Sequence, residues 1–131
     1  MKRVLIYLIF TLSLANTALA QSDPMDALYG HFKNANSKEI AKSFSSSLEI
    51  ILLDQEDVYS KAQAEQILRD FFIKNPPLSY VKVHSVGNTN VKYRYGVIIL
   101  TTKNGKFRVS ILMDKVSNGY LISELKIESE K

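Results

Sequence analysis
The strongest constraint in this sequence is the dipeptide Asn104-Gly105, set between two apolar runs of strand length, Val91–Thr102 and Lys106–Val116. Asn-Gly accepts the positive φ values of a tight hairpin turn, so in this setting it commits the two runs to an antiparallel pair. Ser117-Asn118-Gly119 supplies a second reversal before Tyr120–Glu128. On the other side, Leu78–Val86 is a strand candidate, followed by a Gly87-Asn88-Thr89-Asn90 turn. The C-terminal half therefore reads as an antiparallel meander.

The N-terminal half has helical spacing. Asp23-Pro24 suits the start of a first helix, with Asp at the cap and Pro where no N–H is needed. Met25, Leu28, Phe32 and Ala35 then form one apolar stripe. Asn34-Ala35-Asn36 breaks it, and Asn36 with Glu39 resembles a capping box for a short second helix that buries Ile40, Ala41 and Phe44. Ser45-Ser46-Ser47 reads as a linker, Leu48–Leu53 as a strand, and Gln55-Glu56-Asp57 as a polar turn. Ser60 and Gln63 form a second capping box, opening a third helix with Ala64, Ile67, Leu68, Phe71 and Phe72 on its buried side. Asn75-Pro76-Pro77 ends it, because proline cannot continue the hydrogen-bond ladder. The order is three helices, one strand between the second and third, then the meander: an α+β chain in which helices pack on a curved antiparallel sheet.

Hairpin parity sorts the strand residues. A two-residue Asn104-Gly105 loop pairs Thr102 with Phe107, Leu100 with Val109, Ile98 with Ile111 and Tyr95 with Asp114, and cross-strand partners share a face. One face collects Ile98, Leu100, Phe107, Val109, Ile111, Met113 and Ile122; the other collects Tyr93, Tyr95, Val97, Ile99, Leu112 and Leu125, with Arg108, Ser110 and Asp114. Both faces are apolar over much of their length. We assign the tyrosine face to the helices, because its large aromatics and few polar groups suit a core with a pocket. The Ile98 face, flanked by Arg94, Lys115, Glu124 and Lys126, then suits a homodimer interface of Ile98, Leu100, Val109, Ile111, Met113 and Ile122 with a charged rim. The competing account is an outer face shielded by long Lys and Arg stems.

The folded part does not span the whole chain. Met1-Lys2-Arg3 is a cationic start, Val4–Ala15 is uncharged and mostly apolar, and Ala18-Leu19-Ala20 places small residues before Gln21. This is the pattern of a secretory signal peptide cleaved after Ala20, leaving residues 21–131 as one α+β domain. The run is short of the roughly 20 residues that span a bilayer, and no later segment is long enough. The sequence contains no cysteine, which excludes a disulfide framework, a Cys-based zinc site, a thiol nucleophile and a lipidated N-terminus. The net charge of +4 owes half its value to Lys2 and Arg3, so it gives little ground for a nucleic-acid partner, whose binding rests on many phosphate contacts.

The segment His31–Phe44, HFKNANSKEIAKSF, with Phe32, Asn34-Ala35-Asn36 and Phe44, resembles the nuclear transport factor 2-like family, with Asn36 where an Asp is usual. Asp54–Phe72 is similar to that family's loop and third helix. More closely, VYSKAQAEQILRDFF, NPP and TTKNGKFRVSILM resemble a family of small exported bacterial proteins of unknown function. The resemblance covers nearly all of residues 21–131. It implies a cone-shaped domain and export. It implies no particular chemistry, because that fold hosts isomerases, dehydratases, binding modules and dimerisation domains.

The chemistry readable from the residues is sparse. Enzymes on this fold commonly place an acid–base pair in an apolar pocket, and Tyr95 with Asp114 is the candidate pair here. A pocket near the helices would draw on Tyr29, Phe32, Tyr93, Tyr95, Arg108 and Asp114. No catalytic residue is carried over by motif, and no cofactor or metal is implied: His31 and His84 are isolated from other ligand types. Lys92, Arg94, Lys103, Lys106 and Arg108 cluster near the hairpin and could steer an anionic partner or blunt an edge. The leading expectation is an exported, non-enzymatic module that binds a small apolar ligand or a protein of the cell envelope and dimerises through its sheet. The alternatives are a small isomerase- or dehydratase-like enzyme using Asp114 and Tyr95, and an accessory protein docking through the basic hairpin.

Overall fold
In the computed structural model the Asn104-Gly105 reversal forms, displaced by one residue from its expected frame. Thr102 pairs with Gly105 across a Lys103-Asn104 turn. Only Gly105 has a positive φ, +120°, so Asn104 is not in the mirror-image turn that Asn-Gly favours; a turn with negative φ at its centre is followed by a glycine that absorbs the reversal. The Thr102 hydroxyl donates to the Gly105 carbonyl (2.8 Å) and accepts from Asn104 N–H (3.1 Å). The shift leaves the parity of the hairpin intact but changes every partner: Ile98 faces Val109, Leu100 faces Phe107, Tyr93 faces Asp114 and Tyr95 faces Leu112.

The structure describes residues 24–87 and 91–131. The signal peptide, the Asp23 cap and residues 88–90 of the expected turn after Gly87 lie outside the described residues. The helices are α1 (Pro24–Lys33), α2 (Ser37–Ala41) and α3 (Lys61–Lys74). The strands are β1 (Phe44–Leu52), β2 (Gln55–Ser60), β3 (Pro77–Val86), β4 (Tyr93–Thr102), β5 (Gly105–Val116) and β6 (Gly119–Ser129). Among the described residues no helix is long and apolar enough to cross a membrane.

Local chemistry accounts for the helix ends. Asn36 caps α2 by accepting from Glu39 N–H (3.3 Å), while the Glu39 carboxylate turns to Lys42 (2.8 Å), whose ammonium holds that carboxyl below its usual range. In α3 both arms of the capping box are present: Gln63 N–H donates to the Ser60 hydroxyl (3.3 Å) and Ser60 N–H donates to the Gln63 side-chain oxygen (3.0 Å).

Between α2 and α3 the chain departs from expectation. The serine linker and the polar turn are both strand: β1 and β2 form a hairpin, Leu48 facing Tyr59 and Leu52 facing Gln55. The sequence of β2, QEDVYS, is polar because the strand lies at the edge of the sheet and is almost wholly exposed. The six strands run β2-β1-β6-β5-β4-β3. All neighbours are antiparallel except β1 and β6, which pair in parallel with Ile50 beside Leu125 and Leu52 beside Ile127. That parallel seam joins the N-terminal hairpin to the C-terminal meander.

The helices cover the face opposite to the one expected. Ile98, Leu100, Val109, Ile111 and Ile122 are fully buried, and Met113 nearly so, in one core with Met25, Leu28, Phe32, Ile40, Leu68 and Phe72. Phe71 of α3 meets Phe107 of β5 edge to face at 5.0 Å between centroids. These six residues are therefore the interior of the domain and are not available as a homodimer interface. A β-bulge decides the matter: Met113 pairs with Ile122 but Leu112 pairs with Glu124, so Ser123 is the extra residue. It brings Ile122, Leu125 and Ile127, which strict alternation would divide between faces, onto the same side. Phe44, Leu48 and Ile50 of β1 extend that side. The tyrosine face is left outside.

Candidate functional site
Gly96 sets how closely α1 lies on the sheet. A Cβ at this position would stand 1.9 Å from the Tyr29 hydroxyl and 2.7 Å from the tip of Met25, so only glycine lets the Tyr29 ring pass under β4. One step along the same face toward the β4 start, the side chain of Arg94 replaces this close contact. Arg94 pairs with Met113 and is only 4% exposed.

Around Arg94 the structure opens into a cleft of about 280 Å³ lined by Leu28, Ser43, Arg94, Met113, Asn118, Gly119 and Tyr120. Its floor is a row across three adjacent strands: Arg94 on β4, Met113 on β5 and Tyr120 on β6. Leu28 of α1 and Ser43 from the α2–β1 turn lie across from this row, and the β5–β6 turn forms the lip. The Arg94 guanidinium sits over the Tyr120 ring, 5.5 Å from its centroid. Tyr120 is itself held, its hydroxyl donating to the Val91 carbonyl (2.7 Å). The turn is anchored by Lys115 N–H donating to the Lys92 carbonyl (2.9 Å), and Ile122 N–H donates to the Ser43 carbonyl (2.6 Å).

The six residues expected to share a pocket do not converge. Tyr29 and Phe32 are buried beneath the sheet's inner face. Tyr93, Tyr95, Arg108 and Asp114 lie on its outer face, because β4 and β5 turn that side of the alternation to solvent. Tyr93 is 51% exposed and lies under the Lys92 ammonium. Tyr95 meets the His84 ring edge to face at 6.4 Å. Arg108 pairs with Glu130 (3.1 Å). Asp114 accepts from the hydroxyl of Ser123, the bulge residue (3.0 Å), which is a structural use of its carboxylate. Tyr95 and Asp114 are not cross-strand partners, and the described clefts contain neither.

A second cleft of about 270 Å³ lies on the other flank of α1, between Tyr29, Val83, His84 and Ser85. Two of its lining groups, Asp26 and Lys82, neutralise each other at 2.9 Å, so it lacks the net charge of the Arg94 cleft. Arg94 is the functional candidate that sequence reasoning assigned to a rim. The signal was present: Arg94 falls on the same parity as Ile98 and Leu100, a lone cation on an otherwise apolar face.

Residues 25–128 match the family described as Domain of unknown function (DUF4783). The chain belongs to this family. Solved relatives include a DUF4783 family protein from Bacteroides uniformis, 27% identical, covering 83% of this chain and 99% of that one with a TM-score of 0.77. Another, from Bacteroides ovatus, is 25% identical over 79% of this chain and 93% of that one, with a TM-score of 0.74. A nuclear transport factor 2-like protein of unknown function from Shewanella baltica shares the fold at 14% identity, a TM-score of 0.63, and 82% and 88% coverage. No curated protein matches the chain. The DUF4783 chain thus has the nuclear transport factor 2-like α+β architecture inferred from its sequence, with the β1–β2 hairpin added between its second and third helices.

Proposed function
We propose that this DUF4783 protein is an exported, non-enzymatic module that binds a small molecule in the cleft around Arg94. One observation carries the reading: the inner face of the sheet is closed by packed apolar side chains except at this end, where about 280 Å³ opens beside a buried guanidinium. That volume is at the small end of the range for ligand sites, about 300–1,000 Å³. The mixture of apolar walls and a few polar groups is also typical of such sites. The outer-face positions of Tyr95 and Asp114 remove the pair on which an isomerase- or dehydratase-like reading would rest. Export is supported by the N-terminal pattern ending at Ala20.

Native mass spectrometry of the protein expressed from its full chain and recovered from the periplasm tests both parts. The expected result is a polypeptide beginning at Gln21, carrying a small adduct that is lost when Met113→Trp fills the cleft. An uncleaved chain would overturn export. A ligand-free protein whose spectrum is unchanged by Met113→Trp, and which binds none of the probes described below, would overturn the binding reading.

A further inference from the structure
We infer that the cleft selects a small amphiphilic acid, with a carboxylate held by Arg94 and a short apolar body against Leu28 and Met113. This deepens the binding reading above and rests on it. Four features point to that ligand class.

First, the lining consists of Leu28, Ser43, Arg94, Met113, Asn118, Gly119 and Tyr120. Its single ionisable cation is an arginine, charged at every physiological pH, and no Asp or Glu is among the lining residues. The field inside the cleft is therefore positive, and it acts in a poorly hydrated setting where charge discrimination is strong.

Second, the guanidinium presents five N–H donors in a planar fork that fits a carboxylate's two oxygens. A ligand oxyanion can take two of them alongside contacts made within the protein. Stacking on Tyr120 engages the face of the plane and leaves its edge for a hydrogen-bonded oxyanion. Because Tyr120 is pinned through its hydroxyl to Val91, the fork is oriented before a ligand arrives, which reduces the ordering cost of binding.

Third, the remaining walls are not built for a multiply charged anion. Leu28 and Met113 are buried apolar side chains, and the neutral polar groups are confined to Ser43, Asn118 and the Gly119 backbone. An apolar body gains from meeting them, and a second or third negative charge does not.

Fourth, a volume of about 280 Å³ admits an acid with a short chain or one ring. It excludes a nucleotide or a folded peptide segment.

Isothermal titration of the protein with hexanoate and benzoate, against hexan-1-ol, benzamide and inorganic phosphate at fixed ionic strength, tests the inference. The two acids should bind saturably at one site per chain, at least about tenfold more tightly than their neutral counterparts, the factor expected from one charge-assisted contact. In Arg94→Met the acids should fall to the level of hexan-1-ol, and in Arg94→Lys they should lose the larger part of their advantage because the fork is gone. Should Arg94→Met fail to fold, the wild-type series and Arg94→Lys decide the matter. Equal binding of acids and neutral analogues would overturn the acid while leaving the binding cleft. Phosphate binding as tightly as hexanoate would overturn the amphiphile in favour of a simple anion site. Silence from every probe would overturn the cleft as a ligand site altogether.

Discussion
Replacing Gly96 with alanine tests how α1 is seated on the sheet. The added Cβ would lie 1.9 Å from the Tyr29 hydroxyl, 2.7 Å from the Met25 methyl and 3.1 Å from the Tyr29 ring carbon that bears the hydroxyl. The Met25 tip can swing aside at little cost. The tyrosine cannot, because its ring is fully buried and packs against Tyr80 at 5.9 Å. Relief requires lifting α1 or expelling the ring. Overpacking alone costs about 1–3 kcal/mol, and expelling a buried aromatic about 3–5 kcal/mol, so Gly96→Ala should destabilise the domain by about 3 kcal/mol. Tyr29→Phe deletes the atom responsible for the worst contact and leaves the 3.1 Å approach, which a few tenths of an ångström of adjustment relieves. In that background the same Gly96→Ala change should cost about 1 kcal/mol, giving a coupling of about 2 kcal/mol between the two sites. The chain contains no tryptophan, so urea unfolding of all four proteins is best followed by far-UV circular dichroism. A Gly96→Ala penalty below about 1 kcal/mol, or one of equal size in both backgrounds, would refute the argument.

Other consequences are equally direct. Ile111→Ala should cost about 2–5 kcal/mol in thermal or urea unfolding, because Ile111 is fully buried beneath the helices; a change in subunit association with unaltered stability would instead restore that face as an interface. Glu49 shares a hydrogen bond with Glu56, is partly desolvated, and lies near the charges of Glu56 and Glu124, all of which raise its pKa. A raised folded-state pKa favours folding at low pH, and that contribution is lost as pH rises through the carboxylate range and beyond. Glu49→Gln should therefore have a higher melting temperature than wild type at pH 7, with the difference closing in acid. Ser60→Ala removes one arm of the capping box of α3 and should lower stability by about 1 kcal/mol, read as a shift in the urea midpoint at constant slope.

The parts of the fold legible in the sequence are those governed by neighbours in the chain. Ser60 and Gln63 make their reciprocal bonds within one turn of helix, and α3 stops at Lys74, just before Asn75-Pro76-Pro77. The four strands of the meander lie within two residues of where alternation and turn residues place them. Strand β2 was not legible because its polar residues acquire strand geometry only from pairing with β1, and an edge strand needs no apolar pattern of its own. The parallel β1–β6 seam joins residues from opposite ends of the domain, such as Ile50 and Leu125, and no local signal records it. Of the candidate site, the residues were visible but their grouping was not. Arg94 was read as rim, and Tyr93, Tyr95, Arg108 and Asp114 were read as pocket, because a sheet apolar on both sides does not announce which side is covered.

The sequence by itself determined the helices and their caps, the two reversals that create the meander, and the parity that separates Ile98 from Tyr95. Those follow from backbone preferences at turns and from the two-residue period of a strand, both local. Tertiary structure alone decided which of the two faces became the interior. The Ser123 bulge places Ile122, Leu125 and Ile127 on one side, β1 adds Phe44, Leu48 and Ile50 to it, and Gly96 lets α1 settle there. With more apolar surface to bury on that side, the helices cover it, and the lone cation of that face becomes the floor of a cleft.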